Sequence, residues 1–172
     1  MKEIFITKGK IAIVDDDDFE YLNQWKWYCR AHDYAVRDMR VINDSRLSKT
    51  NYVLMHREVI YAPAGYEVDH VNHNTLDNRK ENLRLCTHSQ NAKNTKMPKN
   101  NTSGYKGVNW KKERNKWYAY ITVEQTRLFL GYYNNVIEAA HAYDYAASIY
   151  FGEFACLNFP NGGHNELLKS IA

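Results

Sequence analysis

Residues 96–103, KMPKNNTS, divide the chain: they lack a large aliphatic core pattern and combine one proline with small polar residues, the composition of a linker. A chain of 172 residues has room for one ordinary domain or two to three small ones. After the linker come three strand-like runs, at 105–110, 116–123 and 127–132, and then one helix. Asn135 and Glu138 stand at capping-box spacing at its start, and Ala139, Ala140, Tyr143 and Ala147 continue it. The order βββα predicts a separate small domain.

Before the linker, Ile4–Ile6 and residues 11–14 flank a glycine turn and predict a β-hairpin. The run Asp15, Asp16, Asp17 and Asp18 invites a metal reading. It also precedes Phe19, Tyr21, Leu22 and Trp25 at helical spacing, and acidic residues suit the first turn of a helix; the helical reading is preferred. Residues 27–30 and 34–37 predict a second strand pair, 43–51 a polar loop, and 52–60 a strand running into a short helix.

The net charge of +3 says little, but its distribution is uneven. From Arg79 to Arg127 twelve Lys and Arg face three Glu, whereas the first 33 residues hold five basic and seven acidic side chains. A basic middle with interleaved Trp and Tyr suits a polyanion; charge alone fits a solvated surface equally well. Cys29, Cys86 and Cys156 are odd in number and lack CxxC pairing, which argues against a disulfide scaffold and a cysteine-rich zinc site. With no signal-peptide pattern and no run of membrane-spanning length, the expectation is a soluble, cytoplasmic, nucleoid-associated protein with no membrane partner.

Residues 67–94, EVDHVNHNTLDNRKENLRLCTHSQNAKN, are dense in Asp, His and Asn. Asp69 offers a hard carboxylate suited to Mg²⁺ or Mn²⁺, and His70 a base that can be neutral at physiological pH. Adjacent strand residues point to opposite faces, so the two diverge unless the strand ends or bulges there. A helix beginning near Ser89 places Asn91 and Asn94 near one face.

This segment resembles the ββα-metal motif of HNH nucleases, of the sort found in phage and intron-encoded homing endonucleases. The markers are the Asp69-His70 pair, Asn82 twelve residues after the histidine, and Asn91 nine further on. The resemblance implies that Asp69 and Asn91 coordinate one divalent ion, that His70 activates the attacking water, and that Asn82 holds the loop. Many such proteins carry His where Asn91 stands, a departure that favours Mg²⁺ over histidine-bound Zn²⁺. His88 falls at the wrong spacing for a ligand; His56 and His73 are given structural or auxiliary roles, and Arg84 a DNA contact.

Beyond the linker, Tyr105-Lys106-Gly107-Val108, Phe129-Leu130-Gly131, residues 139–147 (AAHAYDYAA) and Leu157-Asn158-Phe159-Pro160 resemble the plant Apetala-two/ethylene-response-factor DNA-binding domain. That resemblance implies a three-stranded antiparallel sheet on one helix, with the sheet entering the DNA major groove. Alternation turns Trp117, Ala119, Ile121, Val123, Leu128 and Leu130 inward. It leaves Lys106, Asn109, Lys111, Tyr118, Tyr120, Thr122, Arg127 and Phe129 to meet phosphates and bases. Asn109 and Thr122 replace usual arginines and Tyr120 a usual glutamate, so the family's target sequence does not carry over.

The expected fold class is α+β: a β-rich region at 1–51, a ββα-metal core at 52–95, the linker, an Apetala-two-like domain at 104–162 and a tail at 163–172. The expected activity is hydrolysis of double-stranded DNA with one Mg²⁺ or Mn²⁺ ion. The competing expectation is a non-cleaving DNA-binding regulator with a degenerate nuclease core.

Overall fold

A computed structural model describes residues 1–39, 52–98 and 100–160. The loop expected at 43–51 and the tail at 163–172 lie outside the described residues, as does Lys99 of the linker. The chain forms two compact units, Met1–Asn91 and Ala92–Ala172.

In the first unit β1 (Lys2–Ile6) and β2 (Lys10–Val14) form an antiparallel hairpin, with Ile4 opposite Ala12 and Ile6 opposite Lys10. Its turn needs left-handed backbone at Lys8 and Gly9, φ 65° at both, a conformation glycine adopts without strain. Helix α1 (Asp16–Leu22) follows, with Asp16, Asp17 and Asp18 in its first turn, where their charge complements the helix dipole. The short strand β3 (Tyr28–Cys29), β4 (Ala35–Asp38) and β5 (Tyr52–Leu54) make a sheet in that order. Chain direction then changes at once into α2 (Met55–Val59).

Strands β6 (Glu67–His70) and β7 (Leu83–Cys86) pair antiparallel, with Asp69 opposite Arg84 and His70 opposite Leu83. Helix α3 (His88–Lys93) follows β7. The ββα order of the motif is thus present, but it does not own its core. Ile4, Ile6, Ala12, Val14, Leu22, Trp27, Met55, Val59, Val68 and Leu83 bury one common apolar cluster. The N-terminal strands are therefore structural parts of the same unit as β6 and β7. Strand β2 also holds the long β6–β7 loop directly: Ile13 donates to Leu76 O at 2.8 Å, and Asn78 N donates to Ile13 O at 2.7 Å.

In the second unit β8 (Val108–Lys111), β9 (Lys116–Val123) and β10 (Thr126–Tyr133) form an antiparallel sheet with β9 central. Helix α4 (Val136–Phe151) covers one face. Its N-cap is Asn135, whose side chain accepts from Ile137 N at 2.8 Å. Small residues on the helix, Ala139, Ala140, Ala146 and Ala147, are buried with Val108, Ala119 and Ile121. Close approach also explains Gly107, where φ is +74° and a Cβ would lie 1.9 Å from the Tyr143 ring. Buried Asp144 accepts from Asn158 N and Phe159 N, both at 2.8 Å, and so ties the segment after the helix to the domain.

Candidate active site and nucleic-acid interface

The β6–β7 loop has few apolar residues to hold it, so its shape comes from side-chain amides and carboxylates. Asn82 is buried; its Nδ2 donates to Asp77 O at 2.8 Å and its Oδ1 accepts from Asn72 N at 2.9 Å. Asp77 in turn accepts from Asn72 Nδ2 at 2.8 Å and takes a bidentate pair from Arg79, at 2.8 and 2.7 Å. The Arg79 guanidinium holds the Asp77 carboxyl below its ordinary range. Asp77, Asn78 and Arg79 were missed as site-supporting residues by sequence reasoning. Their signal was the compact Asp-Asn-Arg triplet inside the loop.

His70 ends β6 and is buried at 4% exposure. Its ring lies 5.1 Å from the ring of His56 and 5.9 Å from that of Tyr34. Burial pushes the His70 pKa down, while the neighbouring Asn78 amide and the charges of Asp69 and Asp77 work against that shift. His56 is pushed down to about 3, first by burial and then by repulsion from His70 and Arg57. Both environments favour a neutral imidazole. Burial also raises the Tyr34 pKa, with Asp69 and Glu67 adding to it.

Strand alternation puts Asp69 on the same side as Glu67. Asp69 is buried and accepts two hydrogen bonds at one oxygen, from Arg84 Nε at 2.9 Å and Arg84 Nη2 at 2.6 Å. Glu67 joins α3 to the strand: its two oxygens meet Asn91 Nδ2 and His88 Nδ1, each at 2.7 Å. Those contacts hold the Glu67 carboxyl below its ordinary range, Asn91 being the larger cause. The Asn91 amide is therefore turned with Nδ2 to Glu67 and Oδ1 away from it. Sequence reasoning missed Glu67, although it lies two residues from Asp69 on a strand of period two.

Among the described residues, no three His, Cys, Asp or Glu side chains form a metal cage. A carboxylate oxygen of Asp69 and the amide oxygen of Asn91 are hard donors. Oxygen donors of this kind suit a hard divalent cation. A cleft of about 360 Å³ is lined by Arg30, Tyr34, His56, Glu67 and Asn91 among others.

The sheet of the second unit turns an aromatic face outward. Tyr118 lies 5.4 Å from Tyr120 and 5.5 Å from Phe129, near-parallel to both. Arg127 lies over Tyr120 at 4.3 Å, and Asn109 Nδ2 reaches the Tyr120 hydroxyl at 3.4 Å. Thr122 and Lys111 are exposed, Lys111 within 3.5 Å of Glu113. A β-bulge between Phe129 and Gly131 shifts the register, so Tyr132 pairs with Tyr118 and joins this face, with Arg114 over its ring at 4.8 Å. Regular alternation does not foresee Tyr132. Lys106 is placed differently from its neighbours: its ammonium donates to the carbonyls of Lys93 at 3.1 Å and Thr95 at 2.6 Å.

The family model for HNH endonucleases matches residues 58–93, the stretch holding β6, the loop, β7 and α3. An uncharacterized HNH endonuclease of Acanthamoeba polyphaga mimivirus is 32% identical over 151 residues, covering 88% of this chain and 76% of that protein. The chain belongs to the HNH endonuclease family. This HNH protein is also 47% identical to Protein 3.8 of Escherichia phage T7 over 62 residues, 36% of this chain and about half, 51%, of the phage protein. An AP2-like ethylene-responsive transcription factor of Arabidopsis thaliana is 32% identical over 80 residues, 46% of this chain and 16% of the plant protein.

Proposed function

We propose that this HNH protein hydrolyses phosphodiester bonds of double-stranded DNA with one divalent ion, Mg²⁺ or Mn²⁺, and that its C-terminal sheet selects the site. One observation carries the reading. Asp69 and His70 end a strand beside a loop braced by Asn82, and Glu67 holds Asn91 on the Asp69 side. Asp69 and Asn91 would hold the ion, which supplies charge stabilisation to the phosphate oxygens during displacement. His70 takes a proton from water as the water oxygen forms its bond to phosphorus, and the bond to the 3′-oxygen breaks in line with it, the departing oxygen taking a proton from solvent water. The ends left are 5′-phosphate and 3′-hydroxyl. Asn82 keeps the loop after His70 in shape.

The chemical site touches mostly backbone, so base selection needs another surface. Tyr118, Tyr120, Phe129, Thr122, Asn109 and Arg127 supply flat and polar groups for it on the C-terminal sheet. Supercoiled plasmid incubated with Mg²⁺ tests the catalytic half: the wild type gives relaxed circles and Asp69→Asn gives none. The grip of Arg84 on Asp69 favours a second reading, a DNA-binding regulator whose carboxylate is locked in an ion pair. A wild type that binds DNA but leaves it supercoiled with Mg²⁺ and with Mn²⁺ supports that reading and overturns the nuclease.

A further inference from the structure

The N-terminal strands bring a guanidinium to the nuclease cleft, and its surroundings point to a use. We propose that Arg30 is a substrate-binding residue that takes a DNA backbone phosphate next to the bond being cut, an assignment that rests on the nuclease reading above. Two other guanidinium groups near the centre are already engaged. Arg84 holds Asp69. Arg57 donates to the backbone oxygens of Tyr66 at 2.7 Å, Pro63 at 3.0 Å and Ala62 at 3.2 Å, which fixes the chain before β6.

Arg30 is arranged otherwise. It is exposed, lines the cleft that also holds His56, Glu67 and Asn91, and the described partner of its guanidinium is the Tyr52 ring at 4.1 Å. A guanidinium stacked by its face keeps its in-plane N–H donors directed outward, in the fork that matches two phosphate oxygens. The stack also restrains a long side chain before the substrate arrives, lowering the entropy lost on binding.

Its backbone is anchored to the motif. Arg30 N donates to Tyr34 O at 3.0 Å and Asp33 N to Arg30 O at 3.1 Å, closing the turn between β3 and β4. Thr75, in the loop that follows His70, donates its hydroxyl to His32 O at 3.0 Å and approaches Asp33 O at 3.3 Å. At the other end of the turn Tyr34 lies against His56 and His70. The turn thus carries Arg30 at a fixed place relative to the candidate base. Electrostatics gives the reason for a cation there. Glu67 lines the same cleft, and a cation on the rim offsets its negative charge for an approaching phosphodiester.

The test uses the full chain with Arg30→Ala and Arg30→Lys, measuring nicking kinetics and thermal melting. DNA binding in a His70→Ala background is measured at several salt concentrations. Arg30→Ala is expected to raise KM about tenfold with kcat nearly unchanged. It is expected to reduce the salt slope of binding by about 0.9, the value of one phosphate contact. Arg30→Lys is expected to restore the slope and only part of KM, because the charge returns without the fork. Unchanged KM and slope overturn the assignment, as does a fall in kcat accompanied by a lowered melting temperature. A wild type that fails to nick DNA with every divalent ion tried removes the nuclease reading, and the slope comparison still judges the phosphate contact separately.

Discussion

Asn91 donates its Nδ2 hydrogen to Glu67 Oε2 at 2.7 Å, so a carboxylate two residues before Asp69 decides which way the Asn91 amide faces. Partners that orient a metal ligand typically alter metal affinity by about 10–100-fold when removed. Glu67→Ala is expected to raise the Mg²⁺ concentration for half-maximal nicking by about tenfold or more. Glu67→Gln, which keeps a carbonyl oxygen for Asn91, is expected to recover most of it. Equal Mg²⁺ dependence for wild type and Glu67→Ala contradicts the orienting role.

Asn82 joins two sides of the β6–β7 loop through Asp77 O and Asn72 N. Asn82→Ala leaves a buried carbonyl and an amide without that partner, a loss of about 2–3 kcal/mol in stability. Urea unfolding measures it. A change below about 0.5 kcal/mol, the range of an ordinary surface substitution, means the amide does not brace the loop.

Much of this arrangement was legible from residue order, and the rest failed for identifiable reasons. The Asp69, His70, Asn82 and Asn91 spacing located the motif, because a short strand–loop–strand–helix unit fixes how far apart such residues stand along the chain. Period-two alternation sorted Ala119 and Ile121 inward from Tyr118 and Tyr120. The spacing did not reveal that Ile4, Val14 and Trp27 share a core with Val68 and Leu83, since contacts so distant in sequence leave no periodic trace. Nor did it reveal that the Lys106 ammonium caps two carbonyls; a lysine beside a strand reads as a phosphate contact until its neighbours in space are known. The bulge that brings Tyr132 outward breaks the very alternation used to assign faces.

His56 supplies a pH prediction. Its folded-state pKa of about 3 lies below the ordinary 6.5, so the fold holds the neutral ring. That contribution is fully present above pH 6.5 and declines as the pH falls below it, since protons then bind the unfolded chain more readily. The decline is at most about 1.4 kcal/mol per pH unit. Unfolding free energy is expected to drop by roughly 1–2 kcal/mol between pH 7 and 5.5, with a smaller drop in His56→Leu. Parallel pH profiles for the two proteins contradict the assignment.

The outward aromatic face of the second unit should govern where DNA is held. Tyr118→Ala combined with Phe129→Ala removes two adjoining rings from the surface without touching Ala119 or Ile121. Affinity for a preferred duplex is expected to fall about tenfold or more, as truncated central contacts commonly do, while nicking of bulk plasmid at high protein concentration persists. Footprinting before and after the substitutions reads the first effect. An unchanged footprint assigns site selection elsewhere.

The central claim is that His70 serves as the base of a hydrolytic DNA cut. Supercoiled plasmid incubated with Mg²⁺ or Mn²⁺ tests it most directly, with wild type compared to His70→Ala at matched DNA occupancy and the product ends analysed. The account predicts nicks bearing 5′-phosphate and 3′-hydroxyl, with a rate lower by about 10²–10⁴-fold in His70→Ala. Equal rates for the two proteins, or the opposite end chemistry, would contradict it.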